Sequence, residues 1–298
     1  MTQIGFNFEK HHFYGEVPEA LDKPLTLTLQ VTRRCNLHCI YCSEEKQLPE
    51  PNKRELEDIM SKIRNVRRII VSGGEPLLRL DIINILKELR SQRNILALAT
   101  NCTRVDKESA NKLVGLIDYA DVTIDGPRNI HNIIRGNYDS VLEGVFNLRE
   151  KGIEYSFVTV LVPQNFEYLE DICQIVDTLG GRKHKILTPI PKGRGKEIYK
   201  ETKDRYSLDE IFSRLRSAKE KKGWRQRITI TDWTKIGEGH ALLIHPDGNV
   251  VASPIFCNDK EVEYVGNLHR ESLEDIWKRY PHKQEHFKKY LEKSLYVL

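Results

Sequence analysis

The chain has no apolar run approaching the ~18–20 residues that a membrane span needs, so a membrane protein is not expected. Its first ten residues have neither the basic start nor the apolar centre of a secretory signal, and a cytoplasmic location is expected. Cysteine is scarce and unevenly placed: of six, three crowd between residues 35 and 42, while Cys102, Cys173 and Cys257 are scattered. That spacing does not read as a disulfide framework. An excess of one charge is also missing, since the net charge is only +4, which gives a surface of mixed sign. Basic runs at 192–196 and 219–227 lack the interleaved aromatics of a base-stacking platform, so nucleic acid is not an expected partner. Hydrophobic content of 39% and charged content of 30% exclude a disordered chain. A length of 298 residues allows one large domain, or one domain with an appendage.

Residues 1–24 read as a polar and aromatic arm. From residue 25 a unit repeats: a short apolar strand, a loop, then an amphipathic helix. Strands are expected at 25–31, 68–72, 95–100, 121–124, 155–161 and 184–187. Helices are expected from near Asn52, where Glu55 completes a capping box, and at 80–90, 106–116, 140–151 and 166–179. Six alternating units predict an α/β fold, a parallel sheet with helices outside it. No two further repeats are found before the composition changes near residue 190, so a partial (βα)6 TIM-type barrel fits better than a closed eight-fold one. The barrel is expected over 25–200.

What the chain does have is Cys35-Asn36-Leu37-His38-Cys39-Ile40-Tyr41-Cys42. Three cysteines spaced C-x3-C-x2-C in one loop can hold three corners of a cubane iron–sulfur cluster and leave the fourth iron open. An open iron can bind a substrate or cofactor, whereas a fully ligated one mostly moves electrons. A structural zinc site wants a fourth Cys or His at knuckle spacing. His38 is wedged between two of the cysteines, where the loop is too short for a tetrahedron. A zinc scaffold and an iron–sulfur electron carrier are the two non-enzymatic alternatives.

Ligands of parallel α/β barrels bind at the C-terminal ends of the strands. Here the cysteines follow the first strand and Gly73-Gly74-Glu75-Pro76 follows the second. Asn101 follows the third, Asp125-Gly126-Pro127 the fourth, Pro163 the fifth and residues 189–195 the sixth. Every unusual residue falls on one rim. Gly73 and Gly74 leave backbone open to a close ligand. Cys102 reads as a small buried residue, and Cys173, near Ile172 and Val176, as core.

The cysteine spacing after an alternating strand, followed by Val71-Ser72-Gly73-Gly74-Glu75-Pro76, resembles the signature of radical S-adenosylmethionine (radical SAM) enzymes. The resemblance also implies a six-unit barrel. It implies one 4Fe-4S cluster on Cys35, Cys39 and Cys42, S-adenosyl-L-methionine (SAM) on the open iron, and a low-potential electron donor of flavodoxin or ferredoxin type. Cleavage of SAM would give a 5′-deoxyadenosyl radical that takes a hydrogen atom from a substrate. The resemblance carries the SAM amino group to Gly73, Gly74, Glu75 and Pro76, and the adenine to Tyr41. Val122-Thr123-Ile124-Asp125-Gly126 looks like the family's strand-four ending, which makes Thr123 and Asp125 polar contacts to SAM. His131 and Arg135 follow at a similar spacing, and the guanidinium fork of Arg135 suits the SAM carboxylate better. Thr100-Asn101-Cys102-Thr103 resembles the family's Thr-Asn-Gly-Thr, which adds Asn101 to the cofactor contacts.

After a helix over 206–222, a hairpin is expected around Pro246-Asp247-Gly248, and another helix is expected after Ser272. Together, residues 201–298 resemble the SPASM or twitch extension of radical SAM enzymes, a small α+β unit. The extension's cluster ligand would fall at Ser253, and the expected ligand cysteine at 232–238 is missing. No auxiliary cluster is therefore expected, and Cys257 is left as a half-buried thiol, a hydrogen-atom donor or a lone ligand. A peptide or protein side chain is the expected substrate; a small molecule is the alternative, an anionic one if the basic run at 192–196 faces it.

Overall fold

The computed structural model describes residues 4–8, 12–15, 21–44, 48–203, 205–232, 241–253, 264–280 and 297–298. A short hairpin, β1 (Gly5–Asn7) and β2 (His12–Tyr14), comes first. Then β3 (Thr26–Thr32), β4 (Arg68–Gly73), β5 (Ile95–Thr100), β6 (Tyr119–Thr123), β7 (Glu154–Val160) and β8 (Lys183–Leu187) lie side by side in chain order, all parallel. These are the six expected strands, with ends moved by one or two residues. The sheet then extends at both edges. β9 (Arg227–Thr231) joins β8 in parallel, and β10 (Ala241–Ile244) joins β3 in parallel. β11 (Asn249–Ser253) and β12 (Tyr264–Asn267) complete an antiparallel edge. The predicted hairpin at Pro246-Asp247-Gly248 is thus β10–β11, and it continues the barrel sheet. Sequence periodicity could not show which edge these strands would join.

Helices α1 (Lys53–Lys62), α2 (Ile82–Ser91), α3 (Lys107–Leu113), α4 (Arg128–Ile134), α5 (Tyr138–Glu150) and α6 (Leu169–Thr178) connect the first strands. They are followed by α7 (Gly195–Lys203), α8 (Leu208–Lys222) and α9 (Leu273–Arg279). The expected capping box on α1 is present in both directions, and Ser272 caps α9 through the Asp275 N–H. Leu27, Leu29 and Val31 share one face of β3 by two-residue alternation and join the main core with Leu56, Ile59, Leu86 and Leu89 of α1 and α2. The alternate face is polar: Arg68 Nε donates to Thr26 Oγ1 at 3.1 Å, and Lys185 pairs with Asp121 at 3.0 Å.

The described part of the amino-terminal arm forms the β1–β2 hairpin. The Arg68 guanidinium lies 5.3 Å and 5.0 Å from the ring centres of Phe6 and Phe13. Arg68 starts β4, so this hairpin covers the end of the sheet away from the cysteine loop. Cys102 is fully buried, as expected, in a left-handed turn with φ +65°. That backbone favours glycine. Gly144 of α5 lies against the same turn, and a Cβ there would overlap the Cys102 carbonyl oxygen.

Gly144→Ala is therefore expected to cost about 2 kcal/mol by overpacking and to lower Tm by several degrees in a thermal melt. An unchanged melt would mean that α5 does not pack this closely.

Candidate functional site

The cysteine loop leaves β3 and is seated by backbone. Gly74 N–H donates to Thr32 O at 2.9 Å and Glu75 N–H to Arg34 O at 2.8 Å. A Cβ on Gly73 would overlap the Thr32 carbonyl oxygen, and one on Gly74 would overlap that of Arg34. The two glycines thus let the end of β4 press against the start of the loop, a reason the sequence did not reveal. Cys35 is exposed, Cys39 and Cys42 are half-buried, and all three thiols are free. Burial pushes the Cys39 thiol up to about 11, against the lowering effect of Arg135. Metal binding at this loop must therefore displace protons.

Glu75 lies deeper than expected. It is fully buried, with Oε1 accepting from Thr100 Oγ1 at 2.9 Å and from Leu77 N–H at 3.1 Å. Oε2 accepts from Asn101 N–H at 2.7 Å. Burial raises its carboxyl and these hydrogen bonds offset part of that. The side chain ties the end of β4 to the end of β5, and Pro76 starts the short turn it caps. Asn101 Nδ2 donates to Asn36 Oδ1 at 3.0 Å and stands 3.8 Å from Cys35 Sγ. That holds the first cysteine from the β5 side.

On the other flank, Tyr41, Asp125 and Arg135 form one unit. Tyr41 Oη donates to Asp125 Oδ2 at 2.5 Å, and Arg135 Nη1 contacts both Tyr41 Oη and, at 3.3 Å, Asp125 Oδ2. Asp125 Oδ1 accepts from Val160 N–H at 2.8 Å. Burial raises the Asp125 carboxyl, and Arg135 offsets part of that. His131 Nδ1 accepts from Asp125 N–H at 3.1 Å. Burial pushes His131 down to about 3, so the ring is neutral with its proton on Nε2. α4 carries His131, and Arg135 caps that helix. Ile130 and Ile134 of α4 pack on Ile40 and Tyr41. Thr123 closes β6 and is half-buried.

A third set of contacts was missed. After β8, Arg194 N–H donates to Cys42 O and Arg194 Nε to Cys39 O, both at 2.9 Å. Lys192 pairs with Glu44 at 2.9 Å. Gly193 has φ +55°, and a Cβ there would stand 2.7 Å from Cys42 O. Part of the basic run at 192–196 is thus engaged near the cysteine loop, Arg194 with the Cys39 and Cys42 carbonyls and Lys192 with Glu44. Alternating glycines inside that run were the signal. Ser253 ends β11, while Cys257 and residues 233–238 lie outside the described residues.

Among the described residues, no three His, Cys, Asp or Glu side chains converge on one metal ion. A lone zinc would need such convergence, whereas a cubane spreads its ligands over separate irons. Arg135 Nε is buried without an acceptor, so a cation donor beside the thiols is ready for an anionic group. The donor set therefore fits an iron–sulfur cluster beside a cofactor that carries a carboxylate. Among the described residues, no helix is long and apolar enough to cross a membrane.

The family model described as the radical SAM superfamily matches residues 29–176. Pre-heme d1 synthase of Dinoroseobacter shibae is 29% identical over 251 residues, covering 79% of this chain and 58% of that protein. Fe-coproporphyrin III synthase of Methanosarcina barkeri is 31% identical over 218 residues, covering 67% and 54%. The chain thus spans little more than half the length of these two relatives. Mycofactocin maturase MftC of Mycolicibacterium smegmatis is 25% identical over 287 residues, covering 86% and 71%. Among solved structures, Streptococcus suis SuiB bound to precursor peptide SuiA aligns with TM-score 0.71 at 15% identity, covering 90% of this chain and 67% of that one. anSMEcpe with bound AdoMet aligns with TM-score 0.65 at 16% identity, covering 91% and 80%. These two likenesses establish the fold. With the cysteine loop seated on the strand-end rim inside the matched segment, the chain belongs to the radical SAM superfamily of enzymes.

Proposed function

We propose that this chain holds one 4Fe-4S cluster on Cys35, Cys39 and Cys42 and, with SAM, abstracts a hydrogen atom from a peptide or protein side chain. The observation that carries the reading is the seating of the three free thiols on the rim, with Asn101, Arg135 and Arg194 each reaching the loop or its flank. When bound, the cluster and SAM together supply the electron transfer and the 5′-deoxyadenosyl radical that perform the abstraction.

The chain's own part is to position and to shield. Asn101 holds the Cys35 end and Arg194 the Cys39–Cys42 end. Asp125 fixes Tyr41 and Arg135, leaving Arg135 Nε to face the SAM carboxylate. Gly73, Gly74, Pro76 and Thr123 line the SAM side by their place at strand ends, and Glu75 supports that wall from within. The exposed Cys35 gives a flavodoxin- or ferredoxin-type donor its shortest approach, and a reducing cytoplasm suits such an oxygen-sensitive site. Residues 201–298 are assigned as a SPASM/twitch-like extension without its own cluster, supported by the β10–β11 hairpin, β12 and α9.

The peptide reading is supported by similarity to a maturase along most of the chain and by the fold shared with SuiB. A second reading, a small-molecule substrate, is supported by the two relatives named as synthases of heme-type products.

Anoxic reconstitution is expected to give about four irons per chain and 5′-deoxyadenosine from SAM under a strong reductant. A Cys35→Ala, Cys39→Ala, Cys42→Ala triple variant should lose both. About eight irons, with four surviving in the variant, would place a second cluster in the extension; iron without SAM cleavage would point to an electron carrier. Arg135→Gln is expected to weaken SAM binding about tenfold or more, from loss of a charge-assisted hydrogen bond, in equilibrium binding to the loaded protein. Unaltered affinity would remove Arg135 from the cofactor site.

A further inference from the structure

A second group of charges lies on the same rim and has no part in the chemistry proposed above. Arg33 follows β3, Glu44 follows the cysteine loop, Lys192 comes from the segment after β8, and His245 follows β10. Because β10 runs parallel to β3 with Ile244 opposite Leu29, His245 arrives at the level of Gln30. Glu44 pairs with Arg33 and, at 2.9 Å, with Lys192. Burial, aided by Arg33, pushes His245 down to about 4, so it is neutral near pH 7. Among the described residues, the ion-paired groups here are two cations, Arg33 and Lys192, and one anion, Glu44.

Its hydrogen bonding is also incomplete. Gln30, Arg33 and His245 are 4%, 5% and 2% exposed. Yet among the described residues Gln30 Oε1, Arg33 Nε and His245 Nε2 have no hydrogen-bond partner. A buried polar atom left without a partner is destabilising, and more so when it is charged. Arg33 Nε–H is a donor, and so is His245 in its Nε2–H tautomer. Lys192, 18% exposed, opens the group to solvent. Next to it, Leu243, two residues before His245, forms a small apolar cluster with Val251 and Ile190.

We propose that this group binds the carboxylate of an organic substrate, with Arg33, Lys192 and His245 around the carboxylate and Ile190, Leu243 and Val251 against its carbon chain. The proposal rests on the reading of the rim as the substrate face, and it narrows that substrate to a carboxylic acid. One uncompensated positive charge matches a monoanion, and the apolar wall favours an organic anion over a strongly hydrated inorganic one. Arg33 lies two residues before Cys35 and Glu44 two after Cys42. A carboxylate held here is thus fixed relative to both ends of the cysteine loop. The site is distinct from that of Arg135, whose partner Asp125 follows β6, three strands along the sheet from β3.

The test compares propionate with propionamide by thermal shift on the anoxically purified full chain, without SAM or reductant, at an ionic strength fixed with sodium chloride. Propionate is expected to raise Tm saturably, while propionamide and chloride do not. His245→Phe should weaken the apparent propionate affinity about tenfold. Glu44→Gln, which removes the internal anion, should strengthen it, each variant being read against its own ligand-free Tm. Equal shifts with propionamide or chloride, or a propionate shift indifferent to both substitutions, would overturn the proposal. SAM cleavage by the wild type is assayed separately, so either reading can fail while the other stands.

Discussion

The cysteine loop has almost no regular structure, so neighbouring backbone must give it its shape. Carbonyls of Thr32 and Arg34 accept from the end of β4, while carbonyls of Cys39 and Cys42 accept from Arg194. These contacts need main chain to approach main chain, which a Cβ at Gly73, Gly74 or Gly193 would block. A parallel sheet supplies the rest of the constraint. It brings the C-terminal ends of its strands to one rim, so residues distant in sequence meet around the loop.

Two buried charge groups stand beside the loop, and among the described residues each keeps a donor without a partner, Arg135 Nε in one and Arg33 Nε in the other. Around Asp125, both carboxylate oxygens are occupied by Tyr41, Arg135 and the Val160 N–H. Around Glu44, the ion pairs are made, but donors on Arg33 and His245 remain unused. Buried ion pairs contribute little to stability once desolvation is counted, but breaking one is costly. Both groups are therefore better understood as devices that hold side chains in place. The first fixes Tyr41 and Arg135 against Asp125, and the second fixes Arg33 and Lys192 against Glu44.

Much of the fold was legible because strand and helix periods are local properties. The six strands and the cap residues Asn52 and Ser272 followed from two- and 3.6-residue alternation and from side-chain capping chemistry. The cysteine loop stood out in the sequence because three thiols at that spacing in one short segment are uncommon. α4 was not, since Pro127 and Gly126 read as a loop while Ile130 and Ile134 drew a helix onto Ile40 and Tyr41. Nor was the inward turn of Glu75, because a carboxylate in a Gly-Gly-Glu-Pro run carries no mark of the Thr100 and Asn101 donors waiting across the sheet.

The sequence by itself determined the chemistry available: three clustered thiols, a glycine pair after the next strand, and a repeating strand–helix unit that sends them to one rim. Spacing and periodicity act over a few residues, so they can be read along the chain. Only the tertiary structure decided how that chemistry is held. It assigned Glu75 to a brace and Arg194 to the loop, joined β10 to the edge of β3, and set Arg33, Glu44, Lys192 and His245 together. Those partners are separated by as many as 212 positions, from Arg33 to His245. No local rule fixes such pairings, because they depend on which sheet edge each strand finds and which buried charge it must meet.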